Sequence, residues 1–362
     1  MRTGRSDRIV VAILCGGRSS EHEISCISAG GILAAINREV YEPILIGITR
    51  TSGRWVLIPA DFPLSIVNGV LPTVPEDAPI VNTDIHGFSV NGKALHIDVI
   101  FPMLHGPYGE DGTIQGFCEM ANIPYAGSGV LASAVAMDKS FAKPIFAAHG
   151  MKVAEGLVIT SEQWASNQAA CETLLSGFAY PLFVKPARGG SSRGTTKVKT
   201  PAGLAAAIEE AHRFDRKALV EEGVAGKEVE CAVLEINGKV STSNPGEIII
   251  DKRFDFYDFE SKYIDDGTSV QVPANIPADA RLEIQRLAAL AFVCLGCAGL
   301  ARVDFFYRED GQILINELNT MPGFTPTSVF PTLWAEKGVT YTNIIDELIR
   351  GALTRKNGVL GN

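Results

Sequence analysis

Residues 300–319 read LARVDFFYREDGQILINELN, two apolar runs joined by the polar turn Arg308-Glu309-Asp310-Gly311. Runs of this length bounded by a turn read as strands, here 299–307 and 312–316, and their closeness predicts an antiparallel pair. Asp304 sits inside the first run, and Glu317 and Asn319 follow at the end of the second. Antiparallel pairing would bring these three oxygen-bearing side chains together, with Glu317 and Asn319 on one face. A carboxylate within an apolar strand is costly unless it is paired or metal-bound. Two carboxylates and an amide are hard oxygen donors suited to Mg²⁺ bridging nucleotide phosphates. Arg302, two residues before Asp304, shares its face and could neutralise the acids instead. An ion pair would leave Asn319 without a role, so the pattern is read as a metal site.

A phosphate-binding loop should then lie elsewhere in the chain. Gly189-Gly190-Ser191-Ser192-Arg193-Gly194-Thr195 nearly spells a P-loop, but Thr195 stands where that motif needs a lysine. The lysine is upstream, Lys185, at the end of the strand 181–186. A run of Gly and Ser lets backbone N–H groups approach an anion, whereas a merely flexible hairpin is the alternative. Gly16-Gly17-Arg18-Ser19-Ser20-Glu21 also follows a strand but lacks the G-x-G-x-x-G register of a dinucleotide site.

Working outward, strand 8–15, helix 25–37 and strand 43–49 form a strand–helix–strand unit. Residues 51–96 read as an insertion with a hairpin at Asn91-Gly92. A buried strand, 97–104, leads to the loop from His105 to Gly112 and a helix at 112–122. A helix over 128–148 carries Lys139, and helix 201–213 and strand 218–221 complete a small α+β unit. Strands at 228–235 and 239–243, an aromatic irregular stretch at 252–267, and helices at 277–297 and 340–354 fill the rest. The expected domains are 1–127, 128–220 and 221–362, in an α/β (α+β) class.

At 362 residues with 46% hydrophobic and 20% charged residues, the chain has ample core material and suits several domains. A net charge of −9 argues against nucleic-acid binding. The apolar run after Arg2, Arg5 and Arg8 is too short for a signal peptide, and nowhere is there a stretch of membrane-spanning length. Seven cysteines without scaffold-like clustering fit a reducing compartment, and a cytoplasmic location is expected. Cys294 and Cys297 have no second pair nearby and read as two buried thiols in a helix.

Lys139 in Met137-Asp138-Lys139, Lys185 before its loop, Glu221 and Glu228 around a strand start, and Asp304 with Glu317 and Asn319 resemble the ATP-grasp superfamily. Four stretches are similar to the D-alanine–D-alanine ligase family within it. They are residues 20–25 (SEHEIS), residues 104–106 with 109–112 (LHG, GEDG), residues 256–263 (FYDFESKY) and residues 317–325 (ELNTMPGFT). The likeness runs in order from residue 8 to about 350. It implies an ATP-grasp fold, a Rossmann-like parallel-sheet domain followed by two α+β domains that clamp ATP.

The resemblance also implies roles. Lys139, Lys185, Ser192, Glu221, Glu222, Val224, Glu228 and Asn316 would contact ATP. Asp304, Glu317 and Asn319 would hold two Mg²⁺ ions, or Mn²⁺ in their place. Glu21 would hold the ammonium of a first D-alanine, linked to Ser191 and Tyr263, although a carboxylate there also suits a helix N-terminus. His105 would lie near that substrate, with a loop or capping histidine as the alternative. Arg302 and the Gly323 N–H would stabilise a tetrahedral intermediate, Ser328 would contact the carboxylate of the second substrate, and Lys262 and Val329 would also bind substrate.

The implied reaction phosphorylates one D-alanine and joins it to the amine of another, for peptidoglycan synthesis. The 252–267 stretch would act as a lid over the acylphosphate, and Tyr263, where D-lactate-preferring relatives carry histidine, implies D-alanine. A D-alanine–D-lactate or D-serine ligase, another carboxylate–amine ligase of the superfamily, and a nucleotide-binding regulator without chemistry are the alternatives. Departures are Phe259 at a position often tyrosine and Arg193 where an aliphatic residue is common. The family is commonly homodimeric.

Overall fold

The buried run Val11–Cys15 is the centre of β1 (Ile9–Gly16), around which the N-terminal sheet is built. A computed structural model describes residues 8–59, 61–84, 87–250 and 268–355. Helix α1 (His22–Ala35) returns the chain to β2 (Tyr41–Ile48), parallel to β1 from Ile9 opposite Tyr41 to Gly16 opposite Ile48. Strand β3 (Trp55–Ile58) pairs antiparallel with β2. A separate three-stranded antiparallel sheet follows, β4 (Val81–Asp84), β5 (Gly87–Val90) and β6 (Lys93–Leu95). Asn91 and Gly92 both have positive φ between β5 and β6, as a two-residue I′ hairpin requires. Strand β7 (Val99–Pro102) pairs parallel with the free side of β1. The loops after β1 and β7 therefore emerge at the same carboxyl edge, where open parallel sheets place ligands. Helix α2 (Thr113–Met120) follows.

The helix expected over 128–148 is two, α3 (Val130–Met137) and α4 (Lys139–Ala148). Asp138 breaks it: its backbone is extended, and its carboxylate accepts from Ser140 N at 3.1 Å as the N-cap of α4. Lys139 N–H, outside any helix ladder, donates to Ala187 O at 3.0 Å. The break thus ties Lys139 to the glycine-rich loop.

Next come β8 (Gly156–Thr160), α5 (Ser161–Ser166), α6 (Gln168–Leu175), β9 (Leu182–Pro186), β10 (Thr196–Val198), α7 (Leu204–His212) and β11 (Lys217–Glu222). The strands form an antiparallel sheet in the order β10-β9-β11-β8. The Gly-Ser loop is the connection between the paired strands β9 and β10.

The last sheet contains β12 (Lys227–Ile236), β13 (Lys239–Thr242), β14 (Gly246–Ile250) and β15 (Thr268–Gln271), then, beyond α8 (Ala278–Cys294), β16 (Leu300–Tyr307) and β17 (Ile313–Asn319). Strand β17 is longer than expected, so Glu317 and Asn319 lie within it. Helix α8 ends at Cys294; Cys297 lies past it, and both thiols are half-buried rather than in the core. Burial pushes Cys297 up to about 12, which makes it unreactive. Helix α9 (Val329–Glu336) has no counterpart in the sequence reading, because Pro326 and Pro331 mask it, yet Pro is tolerated in a first turn. Helix α10 (Tyr341–Thr354) starts at Thr340, whose hydroxyl accepts from Asn343 N at 3.2 Å. Lys262, Tyr263 and the lid stretch 252–267 fall outside the described residues. No helix among the described residues is long and apolar enough to cross a membrane.

One core joins the two ends of the chain. Val11, Ile13, Ile32 and Phe101 pack with Met321, Phe324, Phe330, Trp334 and the α10 residues Ile344, Ile345 and Leu348. Phe324, fully buried, has its ring 5.9 Å from Phe101, 6.0 Å from Phe330 and 5.2 Å from Tyr341. Phe324→Ala is expected to cost about 3–5 kcal/mol, seen as a lowered urea midpoint. Leu282→Ala, at a residue 67% exposed, should stay within about 0.5 kcal/mol of the parent. Equal effects would show that Phe324 is not a keystone.

Candidate active site

A cavity of about 420 Å³ lies between the β8–β11 sheet and the β12–β17 sheet. Lys139, Lys185, Ser191, Ser192, Glu221, Glu222, Val224, Glu228, Asp304, Asn316 and Glu317, all named from sequence, line it. Strand β9 delivers Lys185, whose Nζ lies 2.7 Å from Glu221 Oε2 and 3.4 Å from Asn316 Oδ1. Lys139, the first residue of α4, donates from Nζ to Gly189 O at 2.9 Å and pairs with Glu317 at 3.0 Å. Burial alone would lower its ammonium, but Glu317 beside it holds it above the usual lysine range. Glu222 turns its carboxylate onto Ala179 N at 2.7 Å. Ser191 and Ser192 both have positive φ, a costly conformation for serine that bends the loop over the cavity.

Asp304 lies opposite Glu317, and Arg302 opposite Asn319, with a bulge after Asp304 that redirects the strand. The guanidinium of Arg302 grips Asp304 with two bonds, 2.8 and 2.7 Å, and reaches Glu230 at 2.9 Å. Asn319 Nδ2 donates to Asp304 Oδ2 at 3.1 Å. Asn319 therefore does have a role in the ion pair, as a donor to Asp304, contrary to the expectation from sequence. Among the described residues no three His, Cys, Asp or Glu side chains converge as a metal site. The donor set is two carboxylates and an amide, with both carboxylates on the cavity wall, and such hard oxygens fit Mg²⁺. Glu230, buried and on the same wall, was not singled out from sequence. Its alternation with Glu228 along β12 was the available signal.

Glu21 stands outside the cavity wall but is joined to it. It is the N-cap residue of α1, yet its side chain makes no capping bond and instead accepts from Ser191 Oγ. The carboxylate wedges between two loops at glycines. A Cβ on Gly106 would sit 2.5 Å from Glu21 Oε2, and one on Gly190 would sit 2.9 Å from it. His105 is buried, and both ring nitrogens are used: Nδ1 faces Met321 O at 3.0 Å and Nε2 faces Ser28 Oγ at 3.1 Å. A carbonyl can only accept, so Nδ1 carries a proton, and in the neutral ring Nε2 accepts from Ser28 Oγ. Burial favours that state by lowering its pKa. Gly323 and Ser328 are neighbours in the turn before α9, where Ser328 Oγ accepts from Thr325 N at 3.0 Å. Val329 opens α9.

Glu110, quoted in the sequence only as part of a resemblance, is a structural tie. It accepts from Gly106 N at 2.8 Å and from Met321 N at 3.2 Å, so with His105 it grips both polar groups of the Met321 backbone. Burial, then repulsion from Glu21, pushes its carboxyl from 4.5 up to about 8. The folded chain thus holds a proton that the unfolded chain releases above pH 4.5. Stability from this group is full below pH 4.5 and is lost as pH rises to about 8, at about 1.4 kcal/mol per unit. Glu110→Gln should flatten the profile of denaturation midpoint against pH in that window. A variant profile as steep as the parent's would show that another group carries the slope.

Two family models match the chain, D-ala D-ala ligase N-terminus over residues 10–128 and D-ala D-ala ligase C-terminus over residues 145–350. The D-alanine–D-alanine ligase of Pseudarthrobacter chlorophenolicus is 48% identical, covering 96% of this chain and 95% of its own. That of Streptomyces coelicolor is 47% identical, covering 96% and 94%. Among solved structures, VanG D-Ala:D-Ser ligase from Enterococcus faecalis superposes with a TM-score of 0.82 at 35% identity, covering 95% of this chain and 99% of that one. The D-alanine–D-alanine ligase from Coxiella burnetii gives 0.80 at 33% identity, covering 96% and 95%. This chain, with a charged cavity between two of its sheets, has the ATP-grasp fold and belongs to the D-alanine–D-alanine ligase family.

Proposed function

We propose that the protein joins two molecules of D-alanine at the expense of ATP, giving D-alanyl-D-alanine, ADP and phosphate for cell-wall peptidoglycan synthesis. The observation that carries the reading is the meeting, on one cavity, of Lys139 and Lys185 with the cross-strand acids Asp304 and Glu317. Full-length similarity to ligases of this name supports it.

In this reading a carboxylate oxygen of the first D-alanine attacks the γ-phosphorus, and ADP leaves with the bridging oxygen. The amine nitrogen of the second D-alanine, having lost a proton, then attacks the acyl carbon, and phosphate leaves. Lys139 and Lys185 hold phosphate oxygens, while Phe183, Val224 and Glu221 flank the adenine side of the same cavity. Ser191 and Ser192 cover the transferred group. Glu21 holds the first ammonium, its position fixed by Ser191. Arg302 and Gly323 N–H face the developing oxyanion. Ser328 and Val329 border the second substrate, with His105 and Glu110 fixing the turn at Met321. Asp304, Glu317 and Asn319 would hold Mg²⁺, or Mn²⁺ in its place, which when bound draws charge from the phosphates. The units 1–127, 128–220 and 221–362, a cytoplasmic location and a homodimer belong to the same reading.

The similarity to a D-Ala:D-Ser ligase makes D-serine, beside D-lactate, a competing second substrate to test. Phosphate release from ATP with Mg²⁺ should require D-alanine, fail with L-alanine, and yield the D-alanine dipeptide even when D-serine or D-lactate is present. Release only with a mixed pair would replace the assignment. Asp304→Asn or Glu317→Gln should lower turnover about 100-fold or more. Parent-like rates in either would remove the metal role.

A further inference from the structure

Lys143 is a buried lysine that no step of this reaction uses. It lies one turn after Lys139 on α4, with its side chain 7% exposed, and it is not part of the cavity wall. Its Nζ pairs with Glu221 Oε1, while Lys185 Nζ holds Oε2 of the same carboxylate at 2.7 Å. Glu221, its side chain 4% exposed, and Lys185 both line the cavity. One buried carboxylate is therefore shared by two ammonium groups, one facing the cavity and one behind the carboxylate.

That arrangement has a consequence when an anion enters. A phosphate in the cavity competes with Glu221 for the Lys185 ammonium and draws it away from that carboxylate. With Lys143 in place, the pair left behind is still neutral. Without it, the move would strand a bare carboxylate in a buried site, which is strongly unfavourable. Lys185 would then stay on Glu221.

We propose that Lys143 is a positioning residue, a fixed counter-charge that keeps Glu221 in place and releases Lys185 from Glu221 to the nucleotide phosphates. The inference rests on reading the cavity as an ATP site. Burial, opposed by Glu221, leaves Lys143 at about 8. Although burial would raise Glu221, Lys143 and Lys185 hold it down at about 2, so both partners are charged at neutral pH.

The test is a double-mutant cycle on the full-length enzyme, reading the KM for ATP, the KM for D-alanine, and ATP affinity by titration. Lys143→Met should raise the KM for ATP about tenfold or more and leave that for D-alanine within about twofold. In the Glu221→Gln background the same Lys143→Met change should alter the KM for ATP by no more than about threefold, because no bare carboxylate then holds Lys185. Should Lys143→Met fail to fold, the double variant is compared with Glu221→Gln alone, and their ATP affinities should agree within about threefold. An unchanged KM for ATP in Lys143→Met, or a double variant about tenfold weaker than Glu221→Gln, would overturn the proposal while leaving the ATP site standing. A parent enzyme that binds no ATP would instead sink the reading of the cavity itself.

Discussion

Buried charge has to be balanced, and that constraint shapes how the sheets of this protein meet. Asp304 and Glu230 share Arg302, Glu317 is paired with Lys139, and Glu221 is shared by Lys143 and Lys185. An unpaired ion in such a place would cost several kcal/mol, so each acid needs a cation beside it. Arg302 lies on β16, in the same sheet as Asp304 and Glu230, whereas Lys139 crosses from α4 to Glu317, and Lys185 of β9 reaches Asn316 of the same sheet. The same groups that hold the central segment against the C-terminal sheet therefore create a cavity rich in charge.

A second set of contacts holds the N-terminal sheet to this assembly. Its apolar part is the shared core around Phe324, Trp334 and α10. Its polar part is smaller and lies at the edge where β1 and β7 end. Glu21 reaches Ser191 of the glycine-rich loop, and His105 and Glu110 grip the Met321 backbone. Gly106 and Gly190 matter here for what they lack, since a side chain at either would occupy the space of the Glu21 carboxylate. Three segments far apart in the chain are thus fixed within bonding distance at one place, which is what a reaction between two small substrates and a nucleotide needs.

Apolar runs with period two, turn residues such as Asn91-Gly92 and Asn237-Gly238, and glycines after strands made most strands and helices legible from sequence. The acids at 304 and 317 were legible because charge inside an apolar strand needs a partner. Less legible was the break at Asp138: helix periodicity runs through it, and only the capping bond to Ser140 and the tie from Lys139 to Ala187 make extended backbone favourable there. Helix α9 was hidden because Pro331 reads as a breaker until its place in the first turn is known.

What the sequence determined by itself was the set of chemical groups and their order: phosphate-type lysines, a glycine-serine loop, acids within strands, and the stretches shared with the ligase family. These are local, and local spacing carries them. Partnership was decided only by the tertiary structure. Residue spacing does not say that Lys143 stands behind Glu221 or that Asn319 joins the Arg302–Asp304 pair, and the link from Glu21 to Ser191 was implied only by the family resemblance. Each of these choices is set by which opposite charge or donor lies nearest once distant segments have packed, and distance through space is not encoded in distance along the chain.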